Sequence, residues 1–266
     1  MAALVSNYGG EPFSAPALRE VPVESNTDAL AFVDALLDDQ FDLVVLLTGV
    51  GTRALLAVVD QMRDRAAFVA ALSRTRIAAR GPKPVAVLRD VGLSPWVTAP
   101  EPNTWRELLA ALDGKSMDLS LRGARVAVQE YGAANPQLLD GLRDRGATVL
   151  SVPVYRWALP ENIEPLRQAA QGIADGRIEV ALFTTATQVV HLLEVARQLT
   201  IDADVRQGLA SMAVASIGPT TSEELREQGI AVDIEASHPK MGFLVREAAE
   251  RAADVLRTKR GGVALR

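Results

Sequence analysis

Ala79-Arg80-Gly81-Pro82 and, 137 residues further on, Ser216-Ile217-Gly218-Pro219 are one short phrase written twice. The echo continues downstream. Leu88-Arg89-Asp90-Val91-Gly92-Leu93 meets Leu225-Arg226-Glu227-Gln228-Gly229-Ile230 at the same spacing, and Pro102 meets Pro239, each ahead of a helical pattern. Both glycine phrases end a short apolar run, Arg76–Ala79 and Met212–Ser216, and open a helical stretch, so the repeated unit is strand, glycine turn, helix. Leu43–Thr48 meets Glu179–Thr184 one residue out of step, which a single loop deletion explains. Two homologous α/β domains are expected.

Working outward, further apolar runs read as strands at Leu43–Leu47, Arg125–Gln129, Thr148–Val152, Val180–Phe183 and Ala231–Glu235. Several are apolar throughout rather than alternating, as parallel strands covered on both faces are. Helical periods fill the gaps: Asp28–Leu37, Ala54–Met62, Thr104–Leu112, Gln137–Arg145, Gln188–Leu199 and Thr221–Gln228. This alternation predicts doubly wound parallel sheets. The repeat also lays Phe13–Arg19 over the strand-like Leu150–Arg156, and places the counterpart of Arg125 ahead of Met1. The first copy is therefore expected to lack its first strand. Arg19–Asn26 and Val152–Glu161, which carry Pro22, Pro153 and Pro160, read as short extended linkers.

Composition narrows the function classes. The chain has 266 residues, 48% hydrophobic and 23% charged, enough for two real cores. Six Phe, three Trp and three Tyr with a net charge of −5 argue against a nucleic-acid platform. No cysteine is present, which removes disulfides, thiolate metal sites and a Cys nucleophile. His191 and His238 match no metal-ligand spacing, and no metal is expected. Leu43–Leu47 is the longest unbroken apolar run, far short of a membrane span, and the first residues lack the basic start of a signal peptide. A cytoplasmic protein is expected.

In open parallel sheets ligands bind beyond the carboxyl ends of the strands, where loops enter helices. Those loops are Thr48-Gly49-Val50-Gly51-Thr52, Arg80-Gly81-Pro82-Lys83, Tyr131-Gly132-Ala133-Ala134, Thr184-Thr185-Ala186-Thr187, Gly218-Pro219-Thr220-Thr221 and Ser237-His238-Pro239-Lys240. Glycine admits a ligand to the backbone, and free N–H groups at a helix start attract anions. With Arg53, Arg80, Lys83 and Lys240 nearby, the set suits a polycarboxylate held between two domains; helix capping accounts for the same hydroxyl residues. Gly49-Val50-Gly51-Thr52-Arg53-Ala54 also spells G-x-G-x-x-A, a loose dinucleotide fingerprint. It stands alone: no acidic residue follows the next strand, and Thr184–Thr187 holds no glycine. His191, inside Val189-Val190-His191-Leu192-Leu193, reads as a packed histidine, whereas His238, in a turn before Pro239, reads as a site residue. Tyr155 stands at a linker junction, where its phenol either packs or serves chemistry.

Ser216-Ile217-Gly218-Pro219-Thr220-Thr221 with Leu225–Ile230 resembles the signature of the uroporphyrinogen-III synthase family. Leu46-Leu47-Thr48, Phe183-Thr184-Thr185-Ala186 and Val152-Pro153-Val154-Tyr155-Arg156 fall where that family has its other recognisable segments, and the resemblance runs from about Gly9 to Glu250. It implies two flavodoxin-like domains joined by a two-stranded linker: residues 1–18 with 160–266 as domain 1, 26–150 as domain 2, and 19–25 and 151–159 as linkers. It also implies a lyase without cofactor that closes hydroxymethylbilane, a linear polycarboxylate tetrapyrrole, to uroporphyrinogen III with ring D inverted; a monomer is the default expectation, since no exposed heptad or obvious interface segment appears in the sequence. By resemblance Tyr155 matches the tyrosine that assists departure of the hydroxyl, and Thr48, Thr184, Thr185, Thr220 and Thr221 match positions lining the cleft. Gly49, Arg80, Gly81, Lys83, Tyr131, Gly218, His238 and Lys240 complete the expected substrate-binding set. The chain departs from the family at Gly49, where many members have serine, and at Lys83-Pro84, where a hydroxyl residue is usual. The rival expectation is a non-catalytic tetrapyrrole-binding relative with the same two-domain plan.

Overall fold

Four consecutive apolar residues, Leu43–Leu46, have no solvent face to alternate with, and all four are buried in the computed structural model. The structure describes residues 1–22, 27–130, 132 and 135–263. The chain begins with α1 (Ala2–Asn7), β1 (Arg19–Pro22), α2 (Thr27–Leu37), β2 (Leu43–Leu46), α3 (Gly49–Met62), α4 (Arg65–Arg74), β3 (Arg76–Ala79) and α5 (Pro82–Asp90). Next come β4 (Val97–Thr98), α6 (Trp105–Asp113), β5 (Arg125–Gln129), α7 (Pro136–Asp144), β6 (Thr148–Val152) and β7 (Tyr155–Ala158). It closes with α8 (Glu164–Ala174), β8 (Val180–Phe183), α9 (Ala186–Gln198), α10 (Asp202–Ser211), β9 (Ala213–Ser216), α11 (Pro219–Glu227), β10 (Ile234–Glu235) and α12 (Met241–Val263). The chain divides into two compact units, Glu20–Trp157 and a discontinuous unit of Met1–Arg19 with Ala158–Arg266.

The contiguous unit carries a parallel sheet in the order β4-β3-β2-β5-β6. Alternation along each strand feeds two apolar layers. Val44 and Leu46 join Phe32, Leu36, Leu55, Val59 and Phe68 on one face, while Leu43, Val45, Val126 and Val128 join Leu108, Leu112, Leu138 and Leu142 on the other. The helices start where side chains cap them. Thr48 accepts from Gly51 N at the head of α3, Asp64 caps α4, and Thr104 with Glu107 forms a capping box on α6.

The discontinuous unit carries a parallel sheet in the order β10-β9-β8. Leu166, Ile173, Val189, Leu193, Val205, Leu209, Val214 and Leu225 fill one layer; Ala215, Ile234, Leu244 and Ala248 fill another under α12. The amino-terminal segment is tied in through Ala17, buried in the first layer, whose carbonyl lies 2.6 Å from His191 Nδ1. His191 is thus a packed histidine with a backbone partner.

Every element from β2 to β4 recurs 137 residues later as β8 to β10, with the helices between them in step. The loop deletion inferred from sequence is not needed: Thr48 corresponds to Thr185, not Thr184, and each is the N-cap of its helix. A second correction concerns Phe13–Arg19. Only Arg19 of that stretch lies in a strand, β1. Leu150 and its neighbours are strand because β5 supplies their ladder, and the described residues of the discontinuous unit hold no fourth strand to do the same.

Candidate active site

In the contiguous unit the carboxyl end of β2 turns directly into α3. Thr48 has extended backbone, and its Oγ1 accepts from Gly51 N at 3.0 Å. The two glycines that follow are demanded by contact. A Cβ on Gly49 would lie 2.8 Å from the Lys83 carbonyl oxygen, and one on Gly51 would collide with the Gln129 amide. Gly-x-Gly here lets the head of α3 settle against the head of α5 and the end of β5, which accounts for the fingerprint-like spelling without a dinucleotide.

Tyr155 opens β7 and is buried, 4% exposed. Its Oη lies 3.5 Å from Thr48 Oγ1, a long contact between two hydroxyls. Trp157 holds the ring edge-to-face, with centroids 5.2 Å apart at 90°. Gly132, at φ +83°, lies flat against the pair: a Cβ there would stand 2.5 Å from Trp157 Cδ1 and 2.9 Å from Tyr155 Cε2. The Trp157 backbone N–H donates to the Gly132 carbonyl at 3.3 Å. Thr48 and Tyr155, picked separately from sequence, are therefore neighbours. Gly49 joins them to the next loop through Lys83, whose side chain is exposed; Arg80 is half-buried and donates its backbone N–H to Leu46 O at 3.0 Å. Gly81 is buried and extended, with a Cβ position 2.9 Å from Asn103 Oδ1. Tyr131 lies outside the described residues.

In the discontinuous unit the candidates line the carboxyl ends of β8, β9 and β10. Thr185 and Gln188 form a capping box on α9, and Thr184 donates from N at 2.7 Å and from Oγ1 at 3.2 Å to Gln188 Oε1. Gly218, extended like Gly81, caps α11 ahead of Pro219; Thr220 is half-buried and Thr221 buried. Beneath them Ser216 and Ser222 share a buried hydroxyl contact of 2.5 Å. A Cβ on Gly218 would touch Pro239 at 3.5 Å, so this loop adjoins His238 and Lys240, both exposed. His238 stacks on Phe243 at 4.5 Å, and Ser237 Oγ bridges His238 Nδ1 (3.3 Å) and Glu247 (2.5 Å). That hydroxyl holds the Glu247 carboxyl below its usual range; burial opposes it, and the Ser237 N–H with Arg246 and Arg251 adds to the lowering.

Three polar residues at the end of β5 and on β6 escaped the sequence: Gln129, Glu130 and Ser151. Gln129 is 1% exposed and turns its amide onto the Glu130 carbonyl; Ser151 Oγ donates to Glu130 Oε1 at 2.9 Å. Burial pushes the Glu130 carboxyl above its usual range, outweighing Ser151 and the Asn135 N–H, which act the other way. The available signal was a Gln-Glu pair closing an apolar strand ahead of a glycine. Among the described residues no group of three or more His, Asp or Glu is placed to hold a metal, and no helix is long and apolar enough to cross a membrane.

The sequence model of uroporphyrinogen-III synthase HemD matches residues 1–246. The chain belongs to the uroporphyrinogen-III synthase family. It is 27% identical over 256 residues to YjjA of Bacillus subtilis strain 168, an uncharacterized protein, covering 94% of this chain and 90% of that one. Among solved structures it is similar to a mutant uroporphyrinogen III synthase of the extremely thermophilic bacterium Thermus thermophilus, with 26% identity, TM-score 0.70, and 95% and 93% of the two chains covered. The wild-type Thermus enzyme in another crystal form matches with 27% identity and TM-score 0.54 over 96% and 93%.

Proposed function

We propose that the protein is a working uroporphyrinogen-III synthase, a lyase that dehydrates and closes hydroxymethylbilane with inversion of ring D. The observation that carries this is the Tyr155 phenol placed beside Thr48 Oγ1 at the head of α3, in a chain of this family. Loss of the terminal hydroxyl needs a proton at the departing oxygen. Tyr155 donates it, and Thr48 orients the phenol. The C–O bond breaks to release water and leave an azafulvene cation, which the substituted carbon of ring D attacks to form a spiro intermediate. Fragmentation and reclosure then invert that ring, and loss of a proton from the newly bonded ring D carbon neutralises the product and balances the one that Tyr155 gave. Because the free bilane closes without inversion, holding the chain ends matters more than a strong nucleophile.

Arg80, Lys83 and Lys240, with the helix-head amides near Gly49, Gly81, Thr184, Thr185, Gly218, Thr220 and Thr221, bind the substrate carboxylates; His238 adds a polar contact. The two units serve as flavodoxin-like domains, 1–18 with 160–266 and 26–150, linked by 19–25 and 151–159. The enzyme acts as a cytoplasmic monomer on a small molecule. The test is a coupled assay in which hydroxymethylbilane is generated in place, the products are oxidised, and porphyrin isomers I and III are separated. An excess of isomer III over the enzyme-free control supports the activity. Isomer I alone, from protein folded by circular dichroism, overturns it in favour of a non-catalytic tetrapyrrole-binding relative.

A further inference from the structure

Glu130 follows directly on β5, and the ladder continues through it: its N–H donates to Val152 O at 3.0 Å. Val128 and Ser151 are register partners, so the Glu130 side chain shares the face of Val128, the layer that holds Leu138 and Leu142 of α7. There the residue is 3% exposed. Oε1 accepts from Ser151 at 2.9 Å, and Oε2 has no hydrogen-bond partner among the described residues. The groups acting on the carboxyl are the Ser151 hydroxyl from β6 and the Asn135 N–H at the cap of α7; no charged side chain of the described residues is among them. A carboxylate in this place would be a lone buried charge, which costs several kcal/mol by order of magnitude, whereas a neutral acid is tolerated.

Two residues on, Gly132 rests against Tyr155 and Trp157. We propose that Glu130 is a positioning residue held as a neutral acid: bonded to Ser151, it fastens the ends of β5 and β6 and keeps Gly132 seated on the Tyr155–Trp157 pair, and its ionisation loosens this corner by putting a lone charge into the apolar layer. The effect on turnover rests on the synthase reading; the effect on the fold does not.

The sign follows from burial. A carboxyl raised in the folded state favours folding most when it is protonated in both states, and that contribution declines as pH rises from the ordinary carboxylate value through the raised one. Glu130→Gln keeps the shape and cannot ionise. Thermal unfolding of wild type and Glu130→Gln from pH 5 to pH 9 should show the gap in Tm widening in favour of the variant as pH rises. A gap that stays constant overturns the proposal, whether or not the protein turns over substrate. Ser151→Ala is the second variant. It removes a bond that favours the charged form, so the decline should run on to higher pH than in wild type before it levels off; an unmoved end point also counts against Glu130. In the isomer III assay, wild type should lose kcat at unchanged KM as pH rises through the range in which the Tm gap widens, relative to its own value at the acid end of that range. Glu130→Gln should lack that limb, and an identical limb in both proteins removes Glu130 from the positioning of Tyr155.

Discussion

In the reaction we propose, Tyr155 is asked to do two things, to give up a proton and to stay still. Its ring is held by Trp157 on one side and by the missing side chain of Gly132 on another. Tyr155→Phe keeps the packing and removes the proton, so kcat in the isomer III assay should fall roughly ten-fold or more, the low end of general-acid effects. Unchanged turnover would take the phenol out of the mechanism. Gly132→Ala does the reverse: it leaves the phenol but forces a methyl into the indole at a φ of +83°. A loss of about 1–3 kcal/mol in denaturant unfolding is expected from such overpacking and strain. Gly51→Ala should cost a similar amount, because Gln129 Nε2 occupies the space.

At the scale of elements, strands were easier to read than helices. Arg76–Ala79, Arg125–Gln129, Thr148–Val152 and Val180–Phe183 are strands over those same residues: β3 and β5 are central and buried on both faces, and the edge strands β6 and β8 are short β-branched or apolar runs bounded by turns. Helices α4 and α10 were not singled out. Each buries only two or three side chains (Phe68, Ala71 and Leu72; Val205 and Leu209), too few to print a clear stripe. Thr48 and Thr185 were legible because they cap helices, which is a local property. Glu130, Ser151 and Trp157 were not, because their meaning comes from burial and from neighbours distant in sequence. Lys259 is a further case: from α12 its Nζ reaches Asp233 Oδ2 and Met212 O, both at 2.7 Å, with both side chains largely covered. Lys259→Ala strands the Asp233 charge and should cost roughly 3 kcal/mol in thermal or urea unfolding; a loss within error would mean that water replaces the ammonium.

For the molecule as a whole, acid and base should unfold it for different reasons. Asp113 and Asp34 are each clasped by two arginine nitrogens at 2.7 Å, from Arg145 and Arg63, and those hydrogen bonds hold both carboxyls below their usual range. Their contribution is present above the ordinary carboxylate value and is lost as pH falls through the depressed ones, so the acid limb lies below about pH 4. Arg145→Gln should make that limb shallower in a circular-dichroism acid titration, and a limb of unchanged slope would take the Asp113 clasp out of acid unfolding. The net charge of −5 makes the basic loops count at a distance. Arg80→Ala or Lys83→Ala should raise KM chiefly at low salt. The path of the chain has a last consequence, in time rather than space. Residues 20–157 form a continuous unit that a ribosome delivers whole, whereas the opening nineteen residues belong with a unit whose strands all come after residue 158. Residues 1–19, made ahead of residues 20–157, must therefore wait until α9 brings His191 to the carbonyl of Ala17.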